Sequence, residues 1–128
     1  MIVAGVGSRK GVRAAEIEAA ITAAFAQVGV ATSELRLIAT SAAKGGEPGI
    51  AAAASAIGVP LVLIPLSDLT VAGLRAATRS ERVIALAGVP SVAEAAALAA
   101  GGPGARLIAP RIAVGPATCA LAETEAPP

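Results

Sequence analysis

The sequence predicts an α/β fold: a three-layer α/β/α domain whose mostly parallel sheet of about five strands ends in an antiparallel C-terminal hairpin. Three observations predict it. Short runs of Val, Ile and Leu alternate with alanine-rich segments of helical spacing. Those runs are apolar on both faces, as in strands covered by helices on two sides. The chain has 128 residues, the length of one domain with its own core.

The elements follow in order. "MIVAGVG" (1–7) reads as a buried strand ending in glycines. "RAAEIEAAITAAFAQVG" (13–29) reads as a helix, with Ile17, Ile21, Phe25 and Val28 at helical spacing and Gly29 as its stop. "LRLIAT" (35–40) is a second strand, followed by the loop "SAAKGGEPG". "EPGIAAAASAIG" opens a small-residue helix with Pro48 in its first turn. "PLVLIP" (60–65) is a third strand, too short for a helix. "SDLTVAGLRAAT" (67–78) and "SERVIALAG" (80–88) read as short helices or turns, and "SVAEAAALAAGG" (91–102) as a helix closed by glycines. "ARLIAP" (105–110) is a fourth strand. "PATCALAE" (116–123) is a fifth, joined to it by a short turn and hence antiparallel. Residues 1–122 form one domain and 123–128, "ETEAPP", a frayed tail.

Composition excludes several functions. Ten basic and nine acidic residues leave a net charge of +1, which is no footprint for nucleic acid. One Phe and no Trp or Tyr leave almost no platform for base stacking. The longest uncharged stretch, between Glu47 and Asp68, is broken by Pro48, Gly49, Gly58, Pro60 and Pro65, so no membrane span is expected. Arg9, Lys10 and Arg13 interrupt the start before a signal-peptide core could form, and a cytoplasmic location is expected. A single cysteine, Cys119, forms no internal disulfide. The absence of His removes imidazole general-base chemistry and His-ligated metal sites, so no metal and no cofactor is expected.

In a parallel sheet, ligands bind outside the carboxyl ends of the strands. Loops 5–12, 40–48 and 88–91 should meet there. The first reads G-V-G-S-R-K-G. A dinucleotide fingerprint would place its third glycine at position 10, which is Lys10; the glycine comes at Gly11. No acidic residue ends the second strand to hold a ribose, and no Gly-Lys-Ser/Thr ending makes a Walker loop. A tight turn explains Gly5, Gly7 and Gly11 but not the cations; Arg9 and Lys10 beside the N–H groups of a helix start make an anion site. In the second loop, Thr40 and Ser41 would project hydroxyls and Lys44 a mobile cation, while Glu47 before Pro48 reads as a helix start. Lys10 and Lys44 are the chain's two lysines, and both fall in these loops. In the third loop, Ser91 and Glu94 form an S-x-x-E capping box. Arg75, Arg79 and Arg82 read as a solvated basic face, and so does Arg111, placed after the fourth strand. The serines have no His partner; Glu47 and Glu94 could act as acid or base, but each has a sufficient capping role.

The strand and loop "VAGVGSRKG", then "TSAAKGGEPGI", then "GVPSVAEAAAL" before the closing "RLIAPR" resemble the CobE/CbiG C-terminal domain family of cobalamin biosynthesis, in family order and over nearly the whole chain. The resemblance implies a three-layer α/β domain acting on a corrin precursor. Two-domain anaerobic relatives open a δ-lactone on a cobalt-precorrin and release acetaldehyde, and only their C-terminal part is matched. By position, the resemblance implies a site at Gly5, Gly7, Arg9, Gly11, Thr40, Lys44, Glu47, Ser91 and Glu94. Lys10 joins it from the anion-site reading. Arg111 is counted in the expected site too: it stands where family members often carry Lys, so the charge is kept and a neutral amine is not. Arg13 stands where they often carry a Ser-like cap, which weakens a capping box with Glu16.

The expected function is binding, with or without processing, of a precorrin or corrinoid intermediate, its carboxylates held by Arg9 and Lys44. Two alternatives stay open: a nucleotide- or phosphate-binding domain, and a non-catalytic partner subunit of another corrin-pathway enzyme.

Overall fold

The computed structural model describes residues 1–44, 47–79, 92–102 and 104–124, apart from the side chains of Lys44 and of residues 73–79. Within them lie five strands, β1 (Ile2–Ser8), β2 (Leu35–Ser41), β3 (Leu61–Ile64), β4 (Arg106–Val114) and β5 (Ala117–Glu123). Four helices accompany them: α1 (Ala14–Val28), α2 (Pro48–Ile57), α3 (Leu66–Arg79) and α4 (Val92–Gly101). The sheet order is β3-β2-β1-β5-β4. β1, β2 and β3 pair in parallel, and β5 pairs antiparallel with both β1 and β4. Four strands therefore point one way and β5 alone runs back, the predicted mixed α/β sheet. The predicted segment 80–88 lies outside the described residues.

Two helical layers cover this sheet. Ile17, Ile21 and Phe25 of α1 and Ile50, Ala53 and Ala54 of α2 pack on Ala4, Val6, Ile38, Cys119 and Leu121. On the other face, Leu69 of α3 and Ala95 and Ala96 of α4 meet Val3, Ala39 and Ile64. The alternation of Val3 with Ala4 and Val6 is the period-two rule of a strand buried on both sides. Gly29 ends α1 in the left-handed conformation (φ 70°), the stop the sequence predicts.

Two predicted boundaries shift. The fourth strand does not end at Pro110 but runs on to Val114, so Arg111 lies inside β4, exposed, rather than after it. β4 is an edge strand, where a missing N–H donor breaks no ladder, so proline does not stop it. Glu123, expected to begin the tail, is the last residue of β5, opposite Ile2 and Arg106. Beyond it, Thr124 N–H donates to Met1 O at 2.9 Å, and the Met1 amino group donates to Thr124 O at 2.9 Å. Residues 125–128 lie outside the described residues.

Topology fixes where a ligand edge can be. α1, α2 and α3 each follow a parallel strand, so their N-termini sit at the carboxyl edge. α4 precedes β4, which runs the same way, so its N-terminus reaches that edge too. A Cβ built on Gly7 would lie 4.0 Å from Ala93 N, and one built on Gly5 would lie 2.6 Å from Ala97 N, which places α4 antiparallel to β1 directly above it.

Candidate functional site

The site is built around residues 9–13, the connection from β1 to α1. Its backbone is held at three points. Arg9 N–H donates to Pro116 O at 2.9 Å, which brings the β4–β5 turn to the site. Gly11 N–H donates to Glu47 Oε2 at 3.1 Å, which ties this loop to the start of α2. Arg13 N–H donates to Glu16 Oε1 at 3.0 Å. Gly11 takes φ +83°, a left-handed turn that favours glycine. Val12 is buried in the core, and a Cβ on Gly49 would collide with the Val12 carbonyl, so α2 abuts the loop backbone directly. The connection is thus a fixed turn whose Arg9, Lys10 and Arg13 are exposed.

This arrangement changes the reading of the anion site. Gly11 N–H and Arg13 N–H already face carboxylates of the chain itself. In the free protein both donors are taken, so an arriving anion first meets the exposed side-chain cations. At Arg13, half of a capping box survives: Glu16 accepts from the Arg13 backbone, while a guanidinium has no acceptor to return. The Arg13 guanidinium instead lies 3.5 Å from Glu16 Oε1 at the surface.

The other predicted residues fall as follows. Gly5 and Gly7 lie within β1, as the strand reading of 1–7 has it, and not in a loop from residue 5; both lie beneath α4. Thr40 is fully buried, and its hydroxyl donates to Val6 O at 2.8 Å, so it joins two strands instead of facing a ligand. Its face of β2 is the one α1 and α2 cover, where a hydroxyl must find an internal acceptor. The Ser41 hydroxyl accepts from Ala43 N–H at 3.2 Å within a 3-10 turn, Ala42–Lys44. Lys44 ends that turn at the same edge, its side chain outside the described residues. Glu47 is the N-cap residue of α2 but makes no side-chain cap; its carboxylate goes to Gly11. Glu94 is buried in the first turn of α4, 6% exposed. Ser91, Arg82 and the side chains of Arg75 and Arg79 lie outside the described residues. Arg111 lies on the exposed edge strand.

Two contributors escaped the sequence reading: Glu16 as a holder of the loop, and the Pro116 carbonyl. The hairpin was legible, but its insertion beside β1, which carries Pro116 to the site, was not. A separate open groove of about 300 Å³ lies at the opposite edge, floored by Ile21, Leu35 and Ile57 and rimmed by Glu18, Thr22 and Thr32. Among the described residues, no helix is long and apolar enough to cross a membrane.

The Gly11–Glu47 bond makes a direct prediction. Glu47→Ala removes the acceptor and should cost about 0.5–1.5 kcal/mol, a melting shift of about 2–6 °C for a domain of this size. Glu47→Gln keeps an acceptor oxygen and should recover most of it. A thermal melt followed by circular dichroism decides; an unchanged Glu47→Ala melt would mean the clasp adds nothing.

The family described as "Cobalamin synthesis G C-terminus" matches residues 2–122. Protein CobE of a Sinorhizobium species is 40% identical over 121 residues, covering 94% of this chain and 79% of that protein. The crystal structure of cobalamin biosynthesis protein chiG from Agrobacterium tumefaciens superposes with a TM-score of 0.78 at 40% identity, covering 98% of this chain and 100% of that one. The crystal structure of CobE, a protein from the cobalamin biosynthetic pathway, gives a TM-score of 0.81 at 30% identity, over 95% of this chain and 92% of that one.

Proposed function

The chain belongs to the CobE/CbiG C-terminal family of cobalamin biosynthesis proteins, and on that premise we propose that it binds a precorrin-type tetrapyrrole by its peripheral carboxylates at the carboxyl edge of the sheet. One observation carries the reading: the 9–13 turn presents Arg9 and Lys10 exposed on a backbone pinned at Pro116, Glu47 and Glu16. A fixed backbone loses little entropy on binding, so charged side chains spend their interaction on the ligand. Corrin precursors carry acetate and propionate groups around an apolar ring, which is the chemistry such cations recognise. The backbone of Lys44 ends the neighbouring turn at the same edge. The ring itself would meet aliphatic side chains, since the single aromatic residue, Phe25, is buried in the core.

Uroporphyrin, a porphyrin with acetate and propionate groups at every pyrrole, is a suitable probe because its absorbance and fluorescence report binding. Wild type should bind it. Arg9→Ala/Lys10→Ala should weaken binding about tenfold, the sum of two partly solvated charge pairs, and raised salt should narrow the difference. Equal affinity in the double variant, or no binding by wild type, would overturn the reading.

A further inference from the structure

Ser8, the last residue of β1, holds a buried hydroxyl oxygen that has no hydrogen-bond partner among the described residues. The neighbouring hydroxyls are satisfied: Thr40 donates to Val6 O, and Ser41 accepts from Ala43 N–H. Ser8 lies opposite Ala117, in register with the pairs Ala4–Leu121 and Val6–Cys119. Alternation puts its side chain on the same face as Ala4 and Val6, the face that α1 and α2 cover. It therefore lies at the carboxyl end of the sheet, where the 9–13 turn begins. A buried hydroxyl without a partner is worse for folding than a methyl group of similar shape, so alanine would serve the fold better here.

We propose that Ser8 is a ligand-binding position: its hydroxyl donates to a carboxylate oxygen of the bound tetrapyrrole, next to Arg9 and Lys10, which neutralise that carboxylate's charge. This rests on the function proposed above and adds a residue to it. Access follows from the clasp over the turn. Gly11 N–H is held by a partly exposed carboxylate, Glu47 Oε2 at 3.1 Å. A ligand carboxylate is chemically the same acceptor and can exchange with Glu47 at Gly11 N–H, reaching Ser8 while Pro116 and Glu16 still hold the turn. A hydroxyl held for a ligand is a local cost to the free protein that binding removes.

The test combines two measurements on the full chain carrying Ser8→Ala: the thermal melt without ligand, and uroporphyrin affinity by fluorescence titration. The expected result is a melt no lower than wild type together with affinity reduced about tenfold, the weight of one charge-assisted hydrogen bond. Wild-type binding with an unchanged Ser8→Ala affinity would overturn the role of Ser8 and leave the proposed function standing. A Ser8→Ala melt several degrees lower would show a hydroxyl satisfied within the fold, by water for instance, and would overturn it as well. No uroporphyrin binding by wild type would overturn both.

Discussion

Replacing Gly5 by alanine, one added carbon, should unfold the protein or lower its melting temperature by more than about 10 °C, the shift expected of roughly 3 kcal/mol in a domain of this length. Gly5 lies in the central strand β1, between Ala39 of β2 and Ala120 of β5. Its Cβ would collide with the carbonyl oxygen of Ala93 and stand 2.6 Å from Ala97 N and 2.9 Å from Ala97 Cβ. Two of these are backbone atoms of α4, so no side-chain rotation relieves the clash. The helix must move off the sheet. That movement would loosen the tight packing of Ala95, Ala96, Ala97 and Leu98, all nearly or fully buried. Overpacking a core commonly costs 1–3 kcal/mol, and a rigid backbone neighbour puts Gly5 at or beyond the top of that range. Natural domains have about 5–15 kcal/mol in total. Gly104 is the control: among the described residues a Cβ there meets nothing within 4 Å, and its φ is not left-handed, so Gly104→Ala should stay within about 0.5 kcal/mol of wild type. Urea midpoints of both variants check this. A Gly5→Ala midpoint close to that of Gly104→Ala would refute the tight seating of α4.

The same glycine shows where sequence reasoning stopped. The sequence reads Gly5 and Gly7 both as the end of a strand (1–7) and as part of the loop 5–12, with a tight turn as the reason for the glycines. The strand in fact runs through both to Ser8, and the glycines are there because α4 needs the room. Local signals were enough for the elements themselves. Apolar runs bounded by Gly and Pro mark β2 and β3, helical spacing marks α1, and the direction of parallel strands fixes which ends meet. They were not enough for side-chain destinations, because those depend on strand order and on which face a residue takes. Thr40 turned inward to Val6 O, and Glu47 reached across to Gly11 instead of capping its own helix. Pro110 looked like a strand end because its missing donor matters only when a neighbour needs it, and the edge position of β4 is invisible in sequence. Exposure of Arg9 and Lys10 at the start of the turn was the part of the site that sequence alone could place.

The stability of the fold should fall as pH rises above about 9, and Cys119 should be the cause. Its side chain is fully buried on β5, in the cluster that includes Val6 and Leu121. Desolvation by that burial pushes the thiol from 9.0 up to about 12. Between those values the unfolded chain releases the thiol proton and the folded chain keeps it. The unfolded state then binds fewer protons than the native state, so raising pH favours unfolding; below about 9 both states keep the proton and no dependence arises. The limiting slope is about 1.4 kcal/mol per pH unit for one group. The composition makes the effect readable, because the chain has no Tyr and no His, and only Lys10 and Lys44 among lysines. Cys119→Ala retains those lysines and the amino terminus, so the difference between the two proteins isolates the thiol. Urea midpoints measured from pH 8 to pH 10.5 should fall for wild type more steeply than for Cys119→Ala. A native thiol of this kind should also resist a disulfide reagent at pH 8 and react once urea unfolds the chain, since only the thiolate attacks. Parallel pH profiles for the two proteins would show that Cys119 ionises without unfolding, and that the interior around β5 admits water.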